Sequence, residues 1–348
     1  MYQRHILRFR GVASRLQVHQ QLPVSPKFPH QRAYLSATGE GSTSSQFTPS
    51  ARLTGRTCMI TGGTSGIGFA IAERFLQEGA SRVILVGRSY ERLYNAASQL
   101  EASSSFRSIQ STESRETTST EAPKPIHSPE QHQLIESSKE INLLIGDISE
   151  AGSWARELEK VMQTTNLDIL VNAAGLSISS ILPKSEPLDI SNILRTNLEG
   201  ALLTSRAFIR ASIRNRMKKS RDTRSSNSPS PSKCIINISS LLAHKSGTGA
   251  VPYAASKSGV LGLTRSVAVE AAASLRDVTI RSNAIVPGYI ETPMIADFSE
   301  GETARLKDLI PLRRFGRPDE VADAAVFLAQ NEYANNCVLN LDGGLSAV

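Results

Sequence analysis

Cysteine is scarce in this chain. Cys58, Cys234 and Cys337 are the only three, and no metal-type spacing relates them. A disulfide framework and a cysteine-built metal centre are therefore not expected, and free thiols suit a reducing compartment. Long apolar runs are missing too: nothing approaches the roughly 18 residues that a membrane span requires. Basic segments interleaved with aromatics are absent, which argues against nucleic-acid binding. The first 39 residues contain no acid, and they lack the apolar block of about 7–15 residues that a secretory signal carries.

The net charge of +7 is concentrated in two places. One is the leader, with Arg4, Arg8, Arg10, Arg15, Lys27 and Arg32 and no acid. The other is residues 214–233, where Arg214, Arg216, Lys218, Lys219, Arg221, Arg224 and Lys233 face only Asp222. Each carries +6, so the remaining body carries −5. The leader is also partly amphipathic, through Ile6, Leu7, Phe9, Val12 and Leu16. An Arg-rich, acid-free, amphipathic leader fits a mitochondrial transit peptide and a matrix address; the bland alternative is a basic tail. Arg32-Ala33-Tyr34 before Leu35-Ser36 resembles a matrix-protease site. Residues 36–50 are rich in Ser, Thr and Gly and read as linker, so residues 1–50 divide from a folded domain at 51–348.

Hydrophobic residues make up 40% of the chain, enough for a sizeable core. Stretches rich in Val, Ile and Leu at 57–60, 83–86, 141–145, 167–171, 235–238, 278–285 and 338–341 read as seven strands. They alternate with helical patterns, which implies an α/β Rossmann domain: a doubly wound, mostly parallel sheet with helices on both faces. Residues 101–140, after a helix at 92–100, and residues 214–233 lack periodicity and read as disordered insertions.

The first strand runs into Thr61-Gly62-Gly63-Thr64-Ser65-Gly66-Ile67-Gly68, then a helix and a second strand. That order makes a dinucleotide-binding unit, with glycines letting backbone approach a pyrophosphate at the helix N-terminus. A glycine turn with no ligand is the lesser alternative. The second strand ends in Gly87-Arg88, where an acid for the adenine-side ribose is usual. An arginine there can pair with a 2′-phosphate, so NADPH is the expected cofactor. Arg88 as a solvated helix-entry charge is the alternative. Asp147, beside Ile148 at the end of the third strand, can accept from an adenine amino group or act as a turn former. Small residues Ala173, Ala174 and Gly175 after Asn172 leave room for a cofactor. Asn197 is an asparagine within a helical pattern, a poor residue for that place without a further role.

Tyr253 and Lys257 stand four residues apart in an Ala/Ser-rich run, one turn apart on one helix face. A free phenol titrates near ~10, too high for an efficient acid at neutral pH, and a nearby ammonium should lower it. On its own the pattern is more often a solvated helix face. Ser240 precedes Tyr253 at the end of a strand, and alternation along that strand turns Ser239 the other way.

Taken together, T-G-x-x-x-G-I-G, N-A-A-G, N-x-x-G, S-S, Y-x-x-x-K and P-G in this order resemble the short-chain dehydrogenase/reductase family over residues 53–348. The segments 287–294, 310–325 and 339–345 look most like its 3-oxoacyl-[acyl-carrier-protein] reductase branch. The chain departs from the family pattern in its two insertions and in Ala173, where a second asparagine is commoner. The resemblance implies a catalytic tetrad of Asn197, Ser240, Tyr253 and Lys257. It implies cofactor contacts from Thr61, Gly62, Thr64, Ser65, Gly66, Ile67, Gly68, Arg88, Asp147, Ile148, Asn172, Ala173, Ala174, Gly175, Tyr253 and Lys257. Pro287, Gly288, Ile290 and Thr292 would complete that set around the nicotinamide. Ser240 would polarise the substrate carbonyl, Tyr253 deliver the proton, Lys257 hold the ribose hydroxyls, and Asn197 retain a water. A homo- or heterotetramer and a substrate borne on acyl carrier protein follow from the same likeness. Carrier docking would fall to the segment Arg214–Lys233 or to Arg276. The alternatives are a relative acting on acyl-CoA, a steroid, a quinone or a free alcohol, and a non-catalytic NADP-binding subunit, which a complete tetrad argues against.

Overall fold

The central strands are short apolar runs without polar alternation, the pattern of strands covered on both faces. The computed structural model describes residues 51–109, 133–222, 231–245, 247–275 and 278–348. Among them the strands are β1 (Thr57–Thr61), β2 (Arg82–Gly87), β3 (Leu134–Glu136), β4 (Ile141–Ile145), β5 (Ile169–Asn172), β6 (Lys233–Ile238), β7 (Ile280–Pro287) and β8 (Val338–Leu341). They form one sheet in the order β3-β4-β2-β1-β5-β6-β7-β8. Every pairing is parallel except β3 with β4.

Alternate residues of β1 feed two cores. Cys58 and Ile60 face one side with Ile71 and Phe75 of helix α1 (Gly66–Gln77), Leu93 of α2 (Tyr90–Ile109) and Val321 of α8 (Pro318–Gln330). Met59 faces the other side, with Trp154 and Leu158 of α3 (Ser153–Thr164), Phe208 of α5 (Gly200–Asp222) and Ala271 of α6 (Val251–Ser274). Each such fully buried large side chain contributes roughly 1.5–3 kcal/mol before ordering costs. The chain moves outward from β1 to β2 and β4, then returns to β5 on the other flank of β1. That reversal opens a crevice at the carboxyl ends of β1 and β5, where ligands of such sheets bind.

Three expectations need correction. The sheet has eight strands rather than seven, because Leu134–Glu136 pairs antiparallel with Leu144 to Asn142 inside the supposed insertion. Helix α2 does not stop at residue 100 but runs to Ile109, which leaves 110–132 outside the described residues. Helix α5 continues to Asp222, so the first part of the second insertion, 214–222, is helical, and 223–230 lie outside the described residues. Helix α7 (Glu300–Leu309), capped by the Ser299 hydroxyl, carries no strong periodic signal and was not anticipated.

The second insertion joins the sheet at a fixed point. The Ser232 N–H donates to Glu332 (3.1 Å), its carbonyl accepts from Arg56 (2.6 Å) and its hydroxyl accepts from Arg281 (2.6 Å). Arg281 is 2% exposed and spends its other donors on the carbonyls of Leu328, Ala329 and Ala334. A cation at the C-terminal end of α8 is favourable to the helix dipole, which explains a buried guanidinium bound to neutral acceptors.

Candidate active site

The glycine loop owes its shape to contacts that no side chain could share. Gly62 has φ +70°, and a Cβ on it would lie 2.7 Å from the Cα of Ala174. A Cβ on Gly68 would lie 2.4 Å from the Gly62 carbonyl. The loop after β1 is thus folded on itself and pressed against the loop after β5, where the Ala174 N–H donates to the Thr61 hydroxyl (3.3 Å). Gly66 faces Thr292, which brings the segment after β7 beside the same loop.

Asn197 lies in a π-helical turn, Arg195–Glu199, between α4 (Pro187–Leu194) and α5. Such single wide turns within a helix often mark functional positions. Here the side chain donates to the Leu176 carbonyl (2.9 Å) and to Ser256 Oγ (3.0 Å), and accepts from the Leu176 N–H (2.7 Å). The Asn197 amide therefore clamps the loop after β5 to the helix that carries Tyr253.

Ser239 and Ser240 divide as the strand alternation requires. Ser239 is buried and donates to the Lys257 carbonyl (2.8 Å), tying β6 to α6. Ser240 is extended, caps the short turn Leu241–Ala243 through the Leu242 N–H (3.2 Å), and shares a hydrogen bond with Tyr253. Tyr253 and Lys257 sit on α6, 9% and 4% exposed. The Lys257 ammonium donates to the Ile238 carbonyl (2.9 Å) and lies 5.7 Å from the centre of the tyrosine ring.

The electrostatics differ from the expectation that lysine lowers the tyrosine. Burial pushes the Tyr253 phenol above its ordinary value, with the Ser240 hydrogen bond opposing. Burial also brings Lys257 down to about 8. Desolvation disfavours the charged form of both groups, and at this separation it outweighs their mutual attraction. The phenol consequently stays protonated at neutral pH, the state that a proton donor needs.

Residues expected to meet a cofactor are found in three settings. Thr61, Ile148, Asn172, Ala174, Asn197 and Lys257 line one narrow cleft at the crevice. The Asn172 side chain, however, points into the protein, donating to Asn237 (2.8 Å) and Ser205 (3.1 Å) and accepting from Thr204 (2.6 Å). Asn237 in turn donates to Thr264 (2.9 Å), so a buried polar ladder joins β5, β6, α5 and α6. Ile290 is 5% exposed and packs against Gly316 in the core, and Gly288, after Pro287, is pressed against Asp342. At the adenine end, Arg88 is exposed and 3.8 Å from Asp147, whose other oxygen accepts from Ser149 (2.9 Å and 2.7 Å). A folded-back glycine loop with an exposed arginine at the end of β2 fits a dinucleotide bearing a 2′-phosphate.

Ser256 was missed by sequence reasoning. It is fully buried, donates to the Tyr253 carbonyl (2.6 Å) and accepts from Asn197. The signal was a polar residue inside an otherwise small and apolar helix run. The docking candidates fare unevenly. Arg214 pairs with Glu159 (2.5 Å) and Lys233 with Asp168 (3.4 Å), while Arg216 and Lys218 are exposed on α5. Arg276 lies outside the described residues. Among the described residues no helix is long and apolar enough to cross a membrane.

Comparison with known proteins gives a consistent set of likenesses. Residues 56–124 match the family model described as short chain dehydrogenase, and residues 125–346 match the one described as Enoyl-(Acyl carrier protein) reductase. The 3-oxoacyl-[acyl-carrier-protein] reductase of Aquifex aeolicus is 31% identical over 84% of this chain and 98% of its own. That of Rattus norvegicus is 32% identical over 83% of this chain and 98% of its own. Carbonyl reductase family member 4 of Danio rerio is 31% identical over 83% and 98%. Among solved structures, an NAD(P)-dependent gluconate 5-dehydrogenase assignment from Beutenbergia cavernae, with NADP bound, matches with a TM-score of 0.65 and 26% identity, covering 85% of this chain and 98% of that one.

Proposed function

Because the chain belongs to the short-chain dehydrogenase/reductase family, we propose that this NADPH-dependent oxidoreductase reduces 3-oxoacyl groups carried on acyl carrier protein, in mitochondrial fatty acid synthesis. The observation that carries the reading is the buried Tyr253 phenol, hydrogen-bonded to Ser240 and one turn from Lys257. When bound, the nicotinamide supplies the hydride. Ser240 donates to the substrate carbonyl oxygen and favours the charge that develops on it. Tyr253 transfers its proton to that oxygen. Lys257 holds the ribose hydroxyls and restores the phenol's proton. Asn197 and Ser256 fix the loop after β5 against α6, which keeps donor and acid in register.

The acyl-carrier assignment is supported by relatives of that name matched nearly end to end. The carbonyl reductase relative, matched equally well, supports a second reading in which another carbonyl is the substrate. NADPH oxidation by the purified protein, measured with acetoacetyl thioesters of carrier protein, coenzyme A and a small amine and with a quinone, separates the two. A quinone turned over faster than every thioester would overturn the carrier reading.

Arg88→Asp should move preference from NADPH toward NADH, replacing a phosphate partner with a ribose-hydroxyl acceptor. The kcat/KM ratio of the two cofactors is the measurement; an unchanged ratio removes Arg88 as the discriminator. The mitochondrial assignment rests on the leader. Residues 1–34 fused to a fluorescent protein should carry it to mitochondria, and import that survives neutralising Arg4, Arg8, Arg10 and Arg15 would count against a transit peptide. A tetramer is supported by apolar side chains left exposed on neighbouring helices, Leu188 of α4, Leu202 of α5 and Val269 of α6. A second copy covering them would remove that area from water.

A further inference from the structure

Arg88 is not the only cation beside the adenine end of the crevice. Arg92 stands four residues on, in the opening turn of α2, which begins at Tyr90, so one guanidinium group lies just before the helix and the other on it. Arg92 Nη2 reaches back to Ser65 Oγ at 3.5 Å, across the mouth of the glycine loop. The same loop crosses the end of β2, since a Cβ on Gly87 would lie 3.2 Å from the Thr64 methyl. Arg88 and Arg92 thus flank the end of β2, one toward Asp147 and one toward Ser65.

Both contacts are weak. A 3.5 Å bond to a hydroxyl and a 3.8 Å ion pair at an exposed arginine hold their partners loosely. A phosphate dianion offers each a shorter, charge-assisted and bidentate bond. The backbone of α2 is already provided for, because the Ser89 hydroxyl accepts from the Arg92 N–H (3.3 Å). The attraction there comes from side chains. The acids facing the pair are Asp147 beside Arg88 and Glu91 next to Arg92 on the helix. With Asp147 drawn to Arg88 and Ser149, Arg92 is the cation that the loop side presents.

We propose that Arg92 is a second specificity-determining residue, gripping the cofactor's 2′-phosphate from the Ser65 side while Arg88 grips it from the Asp147 side. The proposal rests on the NADPH reading above. Its test uses the purified full chain without nicotinamide: calorimetric titration with 2′,5′-ADP, which carries the 2′-phosphate, and with 5′-AMP, which does not. Wild type should bind 2′,5′-ADP more tightly. Arg92→Ala should weaken 2′,5′-ADP about tenfold and 5′-AMP less than about twofold, as loss of one exposed charge-assisted contact implies. Arg92 is exposed, so the variant should fold as wild type does. Unchanged 2′,5′-ADP binding in Arg92→Ala, or equal losses for both nucleotides, overturns the role of Arg92 and leaves the NADPH reading standing. Wild type that binds the two nucleotides equally overturns both.

Discussion

Replacing Tyr253 with phenylalanine should lower kcat about 10²–10⁴-fold, the usual worth of a positioned proton donor, while NADPH binds almost as before. The substitution removes one oxygen from a ring that is buried and otherwise held by its helix. What is lost is the transferable proton and the hydrogen bond with Ser240. The carbonyl can still be polarised by Ser240, so residual turnover should remain above the uncatalysed rate. Single-turnover reduction of an acetoacetyl thioester gives the chemical step, and fluorescence titration gives NADPH affinity. Reduction at near wild-type rate would remove Tyr253 as the acid. Loss of both activity and NADPH binding would instead mean that the fold was damaged.

Lys257→Met should abolish most activity and yet change stability in a pH-dependent way that can be signed beforehand. In the folded protein the ammonium titrates at about 8, against the ordinary 10.5. Between those values the unfolded chain binds more protons than the native one, so the contribution of Lys257 to stability rises with pH across that window. Below it, the native state bears the full cost of a buried charge. At about 1.4 kcal/mol per unit, wild-type stability minus variant stability should climb by roughly 3 kcal/mol from pH 8 to pH 10.5. The difference matters because Tyr253 and Cys58, both raised by burial, act in the opposite direction in both proteins and cancel. Methionine also leaves the Ile238 carbonyl without its donor, a constant cost of about 1–3 kcal/mol that does not move with pH. Urea unfolding of the nucleotide-free protein at several pH values is the measurement. A flat difference would show that Lys257 is not desolvated as its surroundings imply.

The sheet and the chemical groups were legible because their signals are local. Val83–Val86 is an uninterrupted apolar run, and Tyr253 and Lys257 are fixed by one helical turn. Leu134–Glu136 was not legible: three residues at a sheet edge carry too little pattern, and their order comes from pairing with β4. The extension of α5 through a lysine- and arginine-rich stretch escaped notice for a related reason. Arg210 and Arg214 are satisfied by Glu159 of α3, a partner that only folding brings near. Ser256 and the ladder from Thr204 through Asn172 and Asn237 to Thr264 share that origin, since each member is unremarkable alone. The balance between Tyr253 and Lys257 was read with the wrong sign, because sequence spacing gives their separation but not their burial.

The clamp on Ser232 has a practical bearing on engineering. Residues 223–230 run between a helix pinned at Arg210 and Arg214 and a strand pinned by Arg56, Arg281 and Glu332. Strain arising between those anchors is stopped at Ser232 before it reaches Ser240 at the far end of β6. Lengthening a connection costs only about 0.6 kcal/mol per doubling. Position 226 is accordingly a splice point: an affinity tag, or a small folded domain with adjacent termini, can be inserted there while the reactive end of the sheet keeps its alignment.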